Sequence, residues 1–255
     1  MNEPLLKTRG LSKHFGGLKA VNNVDMELRP REITGLLGPN GAGKTVCFNL
    51  ISGVYRPTSG EIHFQGTRTD GLPPHQVATL GIGRTFQIVK PFASLSVLEN
   101  VLVARGISRY TSFSRSCSSW RTKKEREEAL RILELVGLAD LADQKAGLLP
   151  LGNHRRLEIA RALVIGTSLL LLDESFSGLR HEEIVQLKEL ILKIRENGIT
   201  VLLIEHNMRV TMELCDRIIV LDHGQKIAEG SPEYIRENEK VIEAYLGRKG
   251  RVHAA

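Results

Sequence analysis

The chain has 255 residues, 42% of them hydrophobic, enough to bury one large core or a core with a subdomain. Its net charge of +6 is dispersed among acidic residues and concentrates only at Arg121 to Arg126 and in the tail Arg248, Lys249, Arg251, so a nucleic-acid or lipid-binding stripe is not expected. The three cysteines, Cys47, Cys117 and Cys215, form no C-x-x-C pair, which argues against a disulfide framework and a zinc site. The opening MNEPLLKTRG lacks a basic segment followed by an apolar one, and the longest apolar stretch, Leu163 to Leu172, is broken by Gly166-Thr167-Ser168; a cytoplasmic chain is expected, with any membrane crossing left to other subunits.

In chain order, Leu5 to Arg9 and Val21 to Leu28 read as strands of an antiparallel layer around the turn at Gly16-Gly17, with Phe15 placed where its ring can stack on a purine. The apolar run Ile33 to Leu37 then reaches Gly38-Pro39-Asn40-Gly41-Ala42-Gly43-Lys44-Thr45, which satisfies G-x-x-x-x-G-K-[ST] before a helical pattern resumes at Val46. Gly38, Gly41 and Gly43 let the backbone turn where a Cβ would clash, so successive amides and a helix N-terminus aim at one anionic spot. Lys44 reaches the β- and γ-phosphates and the Thr45 hydroxyl is a Mg²⁺ ligand, so the chain is expected to bind a nucleoside triphosphate. A short strand, Glu61 to Gln65, follows the turn at Pro57 to Gly60. From Ile88 to about Leu148 the pattern is helical, broken by the serine-rich Thr111 to Ser119, and Lys123 to Val136 carries Leu130, Leu133 and Val136 on one stripe. This block reads as an inserted helical subdomain, dividing a single domain into 1–87, 88–150 and 151–255.

Beyond Leu151, helices alternate with strands. Arg155 to Ile165 is a helix, and Leu169 to Leu172 fits a strand covered on both faces and ending in Asp173-Glu174. His181 to Asn197 is a helix with Ile184, Leu187, Leu190, Ile191 and Ile194 at core spacing, closed by Gly198. Thr200 to Ile204 is a buried strand ending at Glu205-His206, Arg217 to Asp222 and Lys226 to Glu229 form a hairpin, and Glu233 to Leu246 is a closing helix. The whole is an α/β fold: a parallel-sheet core around a phosphate loop, with an antiparallel β layer and an inserted helical block. Alternate side chains along a strand face opposite ways, so Asp173 and Glu174 can address two partners: one a Mg²⁺ ion, the other a water aimed at the γ-phosphate. His206 ends a further buried strand of the same layer, at the edge where parallel sheets bind ligands. Gln87, in Arg84-Thr85-Phe86-Gln87, stands where the core hands over to the helical block.

Phe15, the loop Gly38 to Thr45, Gln87, Leu149-Pro150-Leu151-Gly152-Asn153, LLLLDE, SGLR and His206 occur in the order found in the ATPase subunits of ABC transporters. The chain resembles that family over nearly its whole length, and FGGLKAVNNV, GIGRTFQ, PFASLSVLENV, RRLEIARAL, VLLIEHNM and VIEAYLG look most like the ATPases of branched-chain amino acid importers of the Liv type. The resemblance implies a P-loop cassette with a RecA-like core that hydrolyses ATP with Mg²⁺. Two cassettes would pair head to tail, each ATP held between one phosphate loop and the signature Gly152-Asn153 of the other. Phe15 would stack on adenine, and the loop from Gly38 through Asn40, Gly41, Ala42, Gly43, Lys44, Thr45 and Val46 would hold the phosphates. Thr45, Asp173 and Gln87 would serve Mg²⁺, Glu174 would be the general base and His206 the γ-phosphate sensor. The implied partners are integral membrane permease subunits, a second ATPase subunit alike or different, and, indirectly, an extracytoplasmic binding protein. Nucleic acid is not among them.

The chain also departs from the family. The signature serine is Pro150 and its glutamine Asn153, the aspartate of the following SGL segment is Arg180, the proline after the catalytic glutamate is Ser175, and Val46 replaces a hydroxyl residue. These changes fall on surfaces offered to the other subunit, so intact ATP binding with weakened self-pairing and slow hydrolysis is expected. Three alternatives stay open: a lipid-export cassette, a non-hydrolytic regulatory subunit, and a soluble ATPase acting on nucleic acid.

Overall fold

The computed structural model describes residues 3–85, 91–106 and 123–250. The elements run β1 (Leu6–Phe15), β2 (Leu18–Leu28), β3 (Ile33–Leu37), α1 (Lys44–Ile51), β4 (Ser59–Phe64), β5 (Thr67–Arg68), α2 (Pro74–Thr79), β6 (Ile82–Arg84) and α3 (Val97–Gly106). After residue 122 come α4 (Lys123–Leu135), two short 3-10 turns at Ala139–Leu141 and Ala146–Leu148, α5 (Leu151–Leu163), β7 (Leu169–Asp173), α6 (His181–Glu196), β8 (Thr200–Ile204), α7 (Met208–Leu214), β9 (Arg217–Asp222), β10 (Gln225–Gly230), α8 (Pro232–Glu237) and α9 (Glu239–Gly250). Two compact units result, one of residues 1–77 with 198–255 and one of residues 78–197.

In the first unit, β2, β1, β4 and β5 form an antiparallel sheet. A second layer has β3 between two parallel neighbours, β8 (Ile33↔Val201) and β9 (Leu37↔Val220), with β10 antiparallel on β9. Every residue of β3 and β8 is buried, as the uninterrupted apolar sequences ITGLL and TVLLI require of strands covered on both faces. Buried Arg217, the first residue of β9, forks onto Glu32 just before β3, with Nε–Oε1 at 2.7 Å and Nη2–Oε2 at 3.0 Å. It also pairs with Glu229 of β10. In the second unit β6 lies parallel to β7, Ile82 opposite Leu169 and Arg84 opposite Leu171. Helix α6 buries Leu187, Leu190, Ile191 and Ile194 at the spacing of one helical stripe.

Several boundaries differ from the sequence reading. Strand β1 continues past Arg9 to Phe15 because Gly10, at φ 56°, absorbs a register shift between Thr8 and Leu11 without ending the ladder. Helix α5 begins at Leu151, four residues before the expected Arg155, with Pro150 as its N-cap. The closing helix is two helices broken at Asn238, whose side chain accepts from the Val241 amide at 3.3 Å and so starts α9. Strands β5 and β6 and helices α2 and α7 are additions to the sequence reading. Gln87 and the segment Thr111 to Ser119 lie outside the described residues.

Candidate functional site

The first unit carries the phosphate loop. Strand β3 ends at Leu37, and Gly38, Gly41 and Gly43 follow at φ 148°, 79° and 103°. A Cβ on Gly38 would stand 2.1 Å from the Leu221 carbonyl oxygen and one on Gly43 2.4 Å from that of Ala20, so the neighbouring backbone excludes any side chain at either position. At Gly41 a Cβ would meet nothing within 4 Å, and the requirement there is the dihedral alone. Gly43 is the N-cap of α1, which has no side-chain cap and no acidic residue in its first turn. The helix start thus has no side-chain cap and no carboxylate of its own first turn to set against the positive end of its dipole, an arrangement that suits a polyanion. The loop is closed by Ala42 N–H on the Pro39 carbonyl at 3.1 Å and by Gly224 N–H on the Ala42 carbonyl at 3.0 Å.

Lys44 is 7% exposed, and its ammonium donates to the carbonyls of Gly38 at 2.6 Å and Pro39 at 3.0 Å. Thr45 beside it is exposed, as are Asn40 and Gly41, while Val46 is half-buried. One turn on, Cys47 is fully buried and its thiol pushed up to about 12 by desolvation, so no thiolate lies behind the loop. Phe15 ends β1 with its ring 43% exposed. Tyr55 meets that ring edge-on at 5.4 Å, and Lys13 lies 5.1 Å from the Phe15 centroid and 5.8 Å from that of Tyr55 while donating to the Arg56 carbonyl at 2.9 Å. His206 is exposed two residues beyond the end of β8, the strand directly beside β3.

The second unit carries the carboxylates. All five residues of β7 are buried, and Asp173, at its carboxyl end, is 4% exposed. The Arg84 guanidinium donates to Asp173 Oδ2 at 3.0 Å, and the Asp173 amide donates to Thr85 Oγ1 at 3.3 Å. Glu174 is half-buried in a left-handed conformation, φ 50°, which an ordinary residue adopts at a cost of about 1–3 kcal/mol and which turns its carboxylate off the line of the strand. The expected alternation of the two acids along one strand does not hold, because β7 ends at Asp173 and Glu174 follows it in a turn, where its own φ and not the pleat sets its direction. Ser175 is 2% exposed and its hydroxyl lies 3.4 Å from that of Thr85, a link a proline there would not make.

At the start of α5, Pro150 has φ −62° and ψ 161°. Proline's missing N–H is no loss at a helix start. Gly152 N–H donates to Glu183 Oε1 at 3.3 Å, and Oε2 of the same carboxylate accepts from the Arg180 amide at 2.9 Å. Gly152 and Asn153 are half-buried and the Arg180 side chain is exposed.

Sequence reasoning missed Lys13, Tyr55, Arg84 as the partner of Asp173, Glu183, and Tyr245, whose hydroxyl accepts from the Gly38 amide at 2.9 Å. Arg84 stands in the quoted Arg84-Thr85-Phe86-Gln87 and Tyr245 in VIEAYLG, but nothing local to either names its partner. Among the described residues no three His, Cys, Asp or Glu side chains gather into a metal cluster. The Thr45 hydroxyl in the first unit and the Asp173 carboxylate in the second are each a hard oxygen donor of the kind Mg²⁺ takes, so the chemistry of each fits that ion.

Comparison with known proteins agrees. Residues 21–177 match the family described as "ABC transporter" and residues 225–250 that described as "Branched-chain amino acid ATP-binding cassette transporter". The chain is 45% identical over 258 residues to the high-affinity branched-chain amino acid transport ATP-binding protein LivG of Escherichia coli K12, covering 97% of this chain and 99% of that one. A crystal structure of the ADP conformation of an ABC transporter's ATP-binding cassette is similar with TM-score 0.86 and 31% identity, over 96% of this chain and 100% of the other. A dimeric post-hydrolysis cassette bound to ADP and Pi is similar with TM-score 0.74 and 26% identity, over 89% and 98%. The chain belongs to the ABC transporter family, as an ATP-binding cassette with that family's P-loop α/β fold.

Proposed function

We propose that this chain is the ATP-hydrolysing subunit that energises import of branched-chain amino acids through partner membrane permeases. It would act as a single ATPase domain on the cytoplasmic face of the membrane, paired with a second cassette and served indirectly by an extracytoplasmic binding protein. Among the described residues no helix is long and apolar enough to cross a membrane, which accords with separate permease subunits. The observation that supports the ATPase reading is the loop itself: left-handed glycines, a helix start without a side-chain cap and a buried ammonium stand together within eight residues, the combination that suits a polyanion. The import reading rests on the likeness to LivG and on the branched-chain family match in the C-terminal segment, which favour it over lipid export.

In the proposed mechanism Phe15 stacks on the adenine, backed by Tyr55. The amides of Asn40, Gly41 and Gly43 through Val46 and the Lys44 ammonium bind phosphate oxygens, Lys44 exchanging the Gly38 and Pro39 carbonyls for them, while the Gly38 amide stays on Tyr245. Thr45, Asp173 and Gln87 would hold Mg²⁺, which when bound would supply positive charge against that developing on the phosphates. Glu174 accepts a proton from the attacking water, and His206 donates to the γ-phosphate. Asn153 offers side-chain donors to the nucleotide of the second cassette, and Gly152 its amide on release from Glu183. Loss of the γ-phosphate removes contacts made only in the closed pair, so hydrolysis becomes opening.

The test is one series of proteins assayed with and without permease. Lys44→Ala is expected to lose MgATP binding, whereas Glu174→Gln is expected to keep ATP while turnover falls at least about a hundredfold, the scale of a positioned general base. Persistent turnover in Glu174→Gln sinks the base assignment, and ATP retained equally by Lys44→Ala sinks the loop.

A further inference from the structure

The Gly38 peptide is held from outside the loop. Strand β3 stops pairing with β9 at Leu37↔Val220, so the next amide, that of Gly38, has left the ladder while remaining buried. A buried N–H needs a partner. It finds the Tyr245 hydroxyl of α9 at 2.9 Å, across 207 residues of sequence. The Gly38 carbonyl accepts the Lys44 ammonium at 2.6 Å. One residue is thus fixed by a phenol on its N–H side and by the loop lysine on its C=O side. It has no slack elsewhere, because a Cβ there would lie 2.1 Å from the Leu221 carbonyl oxygen. Helix α9 is held in place by buried Val241, and the neighbouring α8 by fully buried Ile235. Burial raises the Tyr245 phenol above its ordinary value, against a smaller opposing effect of the Gly38 amide, which keeps the hydroxyl neutral.

We propose that Tyr245 is a positioning residue for the nucleotide site, setting the Gly38 peptide so that the Lys44 ammonium is presented to the phosphates. The C-terminal segment matched by the branched-chain family is then a working part of the ATP site. This rests on the reading that the loop binds ATP.

Tyr245→Phe keeps the ring and removes only the acceptor, leaving a buried amide unsatisfied. In the full-length protein we expect a rise of about five- to tenfold in the MgATP dissociation constant and in KM, with kcat changed less than about threefold. Hydrogen exchange at the Gly38 amide is expected to quicken while the amides of Ile33 to Leu37 keep their protection. Tyr234→Phe, on the exposed side of α8, is the control expected to change neither. Should Tyr245→Phe fold poorly, 3-fluorotyrosine at position 245, a weaker acceptor of nearly the same shape, is expected to raise the dissociation constant in the same direction by a smaller factor. Parental dissociation constants and parental Gly38 exchange in the Tyr245 variants, with Lys44→Ala still abolishing binding, would overturn this proposal alone. Binding that survives Lys44→Ala would remove the reading beneath it.

Discussion

Gly41 and Gly43 lie two residues apart in one loop, and different forces demand glycine at each. At Gly41 only φ 79° must be tolerated, since no atom stands within 4 Å of where a Cβ would lie, and an alanine costs about 1–2 kcal/mol of left-handed strain. At Gly43 the same strain is joined by a backbone oxygen 2.4 Å away that cannot swing aside. Gly41→Ala is therefore expected to fold and bind ATP, with a loss of about 1–2 kcal/mol in urea unfolding, while Gly43→Ala is expected to lose at least twice that and ATP binding with it. Equal losses in the two variants contradict the account. Both glycines were legible in the sequence because the motif spacing encodes local backbone geometry. Tyr245, Tyr55 and Arg84 were not, because each acts through a partner brought near only by the fold: Gly38 lies 207 residues from Tyr245, and Asp173 lies 89 from Arg84.

Elements were legible where burial is continuous. ITGLL and TVLLI each gave a strand with the expected ends and LLLLD one that closes at Asp173, short of Glu174, because a run that must be covered on both faces has no alternative solvent-facing reading. Element starts set by caps were less legible. Periodicity from Arg155 onward missed the first turn of α5, whose N-cap is a proline, and periodicity across Glu233 to Leu246 concealed the cap at Asn238. That cap has an energetic consequence: Asn238→Ala is expected to cost about 1 kcal/mol in chemical denaturation, and Asn238→Asp to restore most of it. No loss on substitution by alanine would mean that packing alone starts α9. The unexpected β6, only three residues long, was hidden because its pairing with β7 and not its own composition makes it a strand.

For the assembled transporter the informative residues are those that do not fit. Pro150 has neither the hydroxyl nor the N–H of the serine usual there, and a hydrogen bond to a charged group is worth about 1.5–3 kcal/mol, or roughly ten- to a hundredfold in rate if felt in the transition state. Arg180 puts a cation where the family has an aspartate. Restoring both, as Pro150→Ser with Arg180→Asp, is expected to raise ATPase of the chain paired with itself by about tenfold or more; an unchanged rate refutes the idea that these positions limit turnover. A gain would also favour a natural partner with a sound signature of its own. The grip of Lys44 on the Gly38 and Pro39 carbonyls matters at this scale too. An ammonium tethered to its own loop has little rotamer freedom left to surrender, so a guest polyanion would meet a cation already ordered.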